Sequence, residues 1–201
     1  MTKSRSTTRM SSTAAVGGER EGLADPTDDR SNCGIGGVVD LDGGPRHETV
    51  SDAVQLLENL EHRGTTGAEE NTGDGAGIMV ARPDDFFDAV VDVDLPSVYA
   101  VGSVFMPTEP SVQAEIHDVI AEVLSVYGLE VLTWRDVPTN NEGLGETALE
   151  SEPHVAQLFV APVEGAGLAE RFTDPSSDPD DVDPAVLGFD RALYAARREI
   201  E

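Results

Sequence analysis
Cys33 is the only cysteine in the 201-residue chain. It stands in "DDRSNCGIGGVVDLDGG", after the polar stretch 1–32 and ahead of a glycine-spaced run of β-branched residues. A lone thiol is most often a small buried hydrophobe. To act as a nucleophile it needs a base, because the thiolate is the attacking form. No histidine lies beside it in sequence: His47, His62, His117 and His154 are scattered. One base requires no partner residue. If residues 1–32 are cut away, the α-amine of Cys33 is freed, and with a pKa of about 7.7–8.0 it accepts protons near neutrality. Gly34 and Gly36 then let neighbouring backbone come close to the sulfur. Two readings stay open at this point, core packing and N-terminal nucleophile.

Other constellations are weaker. The run "GDGAG" (73–77) resembles a phosphate loop, but such a loop must open a helix, and "IMVAR" follows, which reads as strand. Asn140 and Asn141 near Gly143 look like oxyanion donors, yet "PTNNEG" has the composition of a turn. No two candidate ligands show zinc-site spacing, so no metal site is expected. Arg63, at the end of an apolar-periodic segment, serves either as a cation for the helix dipole or as a planar cation beside a reacting group.

The elements that must position these residues follow from periodicity. "CGIGGVVDL" (33–41) and "GAGIMVAR" (75–82) read as strands, as do 97–106, 129–137 and 154–162. A helix is predicted after "DGG", capped by Thr49 and Asp52, with Val50, Ala53, Val54, Leu57 and Leu60 on one face. It ends at "EHRG", with Gly64 beyond. A short helix is predicted over 83–91, opened by Pro83. The next starts at Glu109-Pro110 and buries Val112, Ile116, Val119, Ile120, Val123 and Tyr127 before Gly128. Residues 163–185 read as an acidic loop, and a last helix runs from Pro184. Residues 1–32 read as a disordered tail or propeptide. Strands beside a few helices predict an α+β fold.

Composition sets the surroundings. The chain carries 39 acidic against 13 basic residues, for a net charge of −26, and Lys3 is its only lysine. Such a surface repels nucleic acid and suits a salt-rich, halophilic cytoplasm, where screening acts over about 3 Å at 1 M salt. No apolar run approaches the roughly 18 residues of a membrane span. One cysteine fits a reducing compartment. The expectation is a soluble, cytoplasmic protein that binds neither nucleic acid nor membrane.

"CGIGG…LENLEHRGTTGAEENTGDGAGI" resembles the opening of the class II, N-terminal-nucleophile (Ntn) glutamine amidotransferases. "TGDGAGI" (72–78), "TWRDVPTNN" (133–141), "SEPHVAQLFV" (151–160) and "FDRALYAARREIE" (189–201) are similar, in order and spacing, to the glutamate synthase large-subunit family. The resemblance covers 33–201. It implies an αββα sandwich of antiparallel sheets, incomplete in this chain. It makes Cys33 the nucleophile, with its own α-amine as base after cleavage. It puts Arg63 in support of the active site, and gives Gly34, Asp74 and Gly75 structural places near it.

The implied activity is glutaminase: ammonia released from L-glutamine through a cysteine thioester, for glutamate synthesis from 2-oxoglutarate. FMN and an iron–sulfur cluster are implied for the full-length family protein, not for this chain. Implied partners are the remainder of the synthase chain and either ferredoxin or a small NAD(P)H-oxidising subunit. The helical pattern reaches Glu201 without cap, glycine or proline. The family's oxyanion donors and substrate-carboxylate arginine are expected beyond it, so 33–201 is expected to be the front part of a domain and inactive alone. Another class II amidotransferase, or a non-catalytic remnant or assembly module, is the alternative.

Overall fold
The segment "HVAQLFVAP" has apolar residues at consecutive positions, which suits a strand covered on both faces. In the computed structural model this strand is the middle of a three-stranded antiparallel sheet. Described are residues 34–41, 43–44, 46–64, 69, 71–73, 75–174, 176 and 181–201. The elements are α1 (His47–Asn59), a 3-10 turn (Glu61–Arg63), α2 (Asp84–Val90), β1 (Ala100–Met106), α3 (Pro110–Val126), β2 (Leu129–Asp136), α4 (Glu146–Glu150), β3 (His154–Pro162), α5 (Leu168–Phe172) and α6 (Pro184–Ile200). The sheet order is β1-β3-β2. The chain is thus α+β.

On β3, Leu158 and Val160 join one buried cluster and Phe159 the other, so successive side chains serve opposite faces. A bulge in β2 sits at Leu132: Val131 pairs with Val160 and Thr133 with Phe159, leaving Leu132 as the extra residue. The bulge lets Val131 and Trp134, three positions apart, both face the first cluster while Leu132 packs with Phe159.

Helices α3, α5 and α6 cover the Leu158 face. Ile120 and Leu124 of α3 meet Phe189, Ala192 and Ala196 of α6. Val119, expected in the core, is 56% exposed, and Leu124 is buried instead. At about 100° per residue, Val119 points well away from the Ile120 direction, whereas Leu124 lies one turn on along the same face. Arg171 of α5 donates to the Val126 carbonyl (3.1 Å) at the end of α3, where Gly128 turns the chain at φ +75°. Asp183 caps α6, its carboxylate accepting from the Ala185 N–H at 2.9 Å. The segment expected as a loop over 163–185 contains α5. Its burial of Leu168 against α6 gives five residues a reason to be helical that their composition does not.

The opposite face is closed by α2. Phe87 meets Phe159 edge-on at 5.1 Å, and Tyr99 lies nearly parallel to Phe159 at 6.3 Å. Arg82 stands 3.9 Å over the Tyr99 ring and donates to its carbonyl. The Tyr99 hydroxyl donates to Asp84. Burial, and then that bond to a carboxylate, push the phenol up to about 12, so it stays a donor.

Two expected strands are absent. Neither 34–41 nor 75–82 is strand. Ile35 is 97%, Leu41 94% and Met79 98% exposed. Their residue types favour pleated backbone, but a strand also needs a neighbouring ladder, and among the described residues neither run has one. Correspondingly, the described residues hold one sheet rather than a facing pair.

The α1 start also differs. Helix begins at His47 with Arg46 as N-cap, so Thr49 lies inside it and no side-chain cap forms. "HETV" contains no breaker, and the helix extends a turn earlier than expected. At the other end Gly64 is extended (φ −85°), because the chain leaves through the 3-10 turn instead of a left-handed cap. The expected tail 1–32 lies outside the described residues. No helix among the described residues is long and apolar enough to cross a membrane.

Candidate active site
Cys33 and Asp74 lie outside the described residues. Their neighbours do not. The run 34–41 lies along α1 because its glycines allow it. A Cβ on Gly36 would stand 2.6 Å from the Leu56 side chain, and one on Gly34 3.1 Å from Leu60. Any side chain at either position would push the Leu56 or Leu60 methyls aside, so glycine lets the run lie close against α1. An ion pair between Arg46 and Asp40, 3.0 Å, ties the far end of the run to the start of α1.

The same Cβ on Gly34 would stand 3.3 Å from the Arg63 Cβ. The residue that follows Cys33 therefore abuts Arg63. Arg63 is carried on the 3-10 turn, whose N–H donates to the Leu60 carbonyl at 2.7 Å. Among the described residues, no acceptor is bonded to its guanidinium, which is exposed and available.

Three of the histidines are engaged elsewhere. His117 stacks on Trp134 at 3.9 Å, inside the α3–β2 contact. His154 pairs with Asp136 at 3.1 Å. His62 bonds to the Asn59 carbonyl at 3.0 Å. The asparagines of "PTNNEG" form a turn, as expected: Asn140 accepts from the Glu142 N–H (3.0 Å) and Asn141 donates to Glu152 (2.7 Å). Gly75 has φ +84°, a left-handed conformation that explains glycine there. Among the described residues, nothing lies within 4 Å of its would-be Cβ. The run is open because no ladder neighbour pairs with it.

A pocket of about 310 Å³ lies elsewhere, between the 163–170 loop and the start of α6. Its lining holds no thiol, hydroxyl or imidazole; its walls are apolar, with Glu164 and Glu170 exposed at the rim. A contact that spacing alone does not announce joins Glu69 and Asn71 to the 143–147 turn. The only hint of it in the sequence is Gly145, a glycine just ahead of a helix where a capping side chain is usual.

The glycines of 34–41 thus set residue 34 against Arg63. The family model for class-II glutamine amidotransferases matches residues 33–201, beginning at Cys33. The chain belongs to the class-II glutamine amidotransferases. This amidotransferase chain is 35% identical over 156 residues, 75% of its length, to the ferredoxin-dependent glutamate synthase 1 of Arabidopsis thaliana. It is 35% identical over 185 residues (89%) to the NADH glutamate synthase of Schizosaccharomyces pombe. It is 35% identical over 184 residues (90%) to the NADPH glutamate synthase large chain of Bacillus subtilis. The matched parts are 10%, 8% and 11% of those proteins, so the amidotransferase spans about a tenth of their length.

Proposed function
We propose that this chain is part of the glutaminase domain of a glutamate synthase. The observation that carries the reading is the match from Cys33 to Glu201, together with relatives named as glutamate synthases. The domain plan that goes with it is a removable tail, 1–32, followed by N-terminal-nucleophile amidotransferase sequence from Cys33 onward. In the reaction the Cys33 thiolate adds to the side-chain amide carbon of L-glutamine, its proton having passed to the α-amine. The tetrahedral intermediate collapses as the protonated amine returns the proton to the leaving nitrogen. Ammonia departs and a thioester remains. Water, deprotonated by the same amine, cleaves the thioester to glutamate and the free thiol. The sum is glutamine plus water giving glutamate plus ammonia. Arg63 supports the site from the 3-10 turn, with Gly34, Asp74 and Gly75 shaping the backbone around it.

The ammonia serves amination of 2-oxoglutarate to glutamate, an assimilation of nitrogen in the cytoplasm. FMN and an iron–sulfur cluster belong to the rest of such an enzyme. A cysteine-ligated cluster needs about four thiolates, and this chain has one, so its residues do not fit that group. Relatives named for ferredoxin, NADH and NADPH match at the same 35% identity. That equality supports an electron-donor choice made outside this domain.

The test is the N-terminus. Intact-mass measurement on active enzyme from the native host is expected to find a chain starting at Cys33. An intact tail on active enzyme would remove the free α-amine and with it the mechanism.

The acidic, lysine-poor surface goes with a salt-rich cytoplasm. Thermal melts of the full-length enzyme are expected to show a higher midpoint in about 1 M salt, where charges are screened beyond roughly 3 Å, than in dilute buffer. Equal or greater stability at low salt would contradict the halophilic reading.

A further inference from the structure
Among the described residues, α2 leaves part of the Phe159 face of the sheet uncovered. Side chains two apart on a strand share a face, so Gln157 stands on this face beside Phe159. Its ladder partners are Ser103 on β1 and Arg135 on β2, which sets Ser103, Gln157 and Arg135 in one row across the sheet. Arg135 donates to the Gln157 Oε1 at 2.8 Å and stands 5.5 Å over the Phe86 ring. Since Oε1 takes the arginine, the free end of the Gln157 side chain is its NH2, a donor. Among the described residues, no acceptor meets that NH2, the Ser103 hydroxyl or the rest of the guanidinium.

The chain has 39 acidic residues against 13 basic, yet this half-buried arginine has no carboxylate among the described residues. Its planar fork fits a carboxylate with two parallel hydrogen bonds. The flanks of the row are apolar. Phe86 is 48% exposed, and Phe105, paired with Val155 one row further along, is 67% exposed. A cation and two neutral donors between open aromatic rings match an acidic side chain with apolar neighbours. A second copy of this chain, at a net charge of −26, would be repelled. The glutamate synthases that match are far longer, this chain spanning about a tenth of them. We infer that the Ser103–Gln157–Arg135 row docks a carboxylate-bearing segment of the synthase polypeptide from outside residues 1–201, with Phe86 and Phe105 against its apolar side chains. The inference rests on the glutamate synthase reading above.

The experiment uses the full-length enzyme and two readouts. The first is hydroxyl-radical footprinting read by mass spectrometry, with protection taken as the oxidation rate in the unfolded enzyme over that in the native one. Rings as open as Phe86 and Phe105 would be protected less than about threefold, whereas a docked segment is expected to protect them at least about tenfold. Arg135→Gln removes the charge and is expected to lower the protection of Phe105 about tenfold, the scale of losing hydrogen bonds to a charged group. The second readout is zero-length coupling. Arg135→Lys keeps the charge and places an amine at the row. A carbodiimide is then expected to join position 135 by an amide to a carboxylate outside residues 1–201, and the linked peptide names the segment.

Protection below about threefold, or protection that Arg135→Gln leaves unchanged, overturns the inference. So does the absence of a link, or a link to a carboxylate within 1–201, which would make this chain or a second copy of it the occupant. If Arg135→Gln does not fold, Ser103→Ala carries the footprint: a fall of about threefold, one neutral hydrogen bond's worth, supports the row and unchanged protection overturns it. Cys33→Ala in a glutaminase assay separates the two readings. Glutaminase activity surviving in Cys33→Ala removes the glutaminase reading and this inference with it. An inactive Cys33→Ala beside unprotected rings removes only this inference.

Discussion

Replacing Cys33 by alanine in the full-length enzyme is expected to lower glutamine hydrolysis by at least about four decades, or about 5.4 kcal/mol at 1.36 kcal/mol per decade. The size follows from what the thiol does. Without it there is no thioester, and the remaining groups must activate water to attack an amide directly. Loss of a nucleophile that works as a unit with its base typically costs this much or more. Cys33→Ser should also be severely impaired, because a hydroxyl is far less ionised than a thiol beside a base whose pKa is about 7.7–8.0. The same amine shapes the wild-type pH profile. Activity should rise as the α-amine loses its proton near neutrality, and an uncleaved tail should abolish that limb. Binding is a separate matter: alanine at 33 leaves Arg63 and Gly34 in place, so glutamine should still protect against unfolding. Turnover above about one hundredth of wild type in Cys33→Ala would place the nucleophile elsewhere.

The second large effect is on stability, at Phe159. This side chain is 0% exposed, at the centre of the middle strand. Its neighbours are Val101 and Thr133 across the two ladders and the rings of Phe87 and Tyr99 above. Phe159→Ala removes the ring on which α2 rests, and such a truncation costs about 3–5 kcal/mol. The Tyr99 hydroxyl bond to Asp84 and the Arg82 contact survive only if Tyr99 keeps its place, so strain will spread to the 82–84 corner. For a domain of this size the midpoint should fall by about 6–20 °C, at roughly 2–4 °C per kcal/mol. Phe159→Leu retains most of the volume and should cost much less. A fall of under about 3 °C in Phe159→Ala, measured by thermal unfolding of this chain, would mean that α2 and Tyr99 are not held to the sheet through this ring.

What could be read without the structure was whatever depends on near neighbours in the chain. The bounds of β3 are legible in the sequence, because Val155, Leu158, Phe159 and Val160 form a strand-favouring run between turn signals. Those of α3 and α6 were legible because proline marks each start, and a 3.6-residue period continues from it. The nucleophile candidate needed even less, since a single cysteine between a polar tail and a glycine run is visible as composition.

Tertiary structure decided the rest. It left 34–41 and 75–82 out of the sheet, since a ladder partner is a long-range fact that residue types do not carry. It made α5 a helix by giving Leu168 a place against α6, where Gly188 admits the Leu168 carbonyl within 2.6 Å of where its own Cβ would be. Helix propensity alone would prefer alanine there by about 1 kcal/mol. It brought Gly34 to Arg63, and Glu69 to Thr147 across 78 positions. Local preferences are summed over a few residues and survive in the sequence. Contacts between distant segments depend on how whole elements pack, and that packing is settled only when the chain has folded.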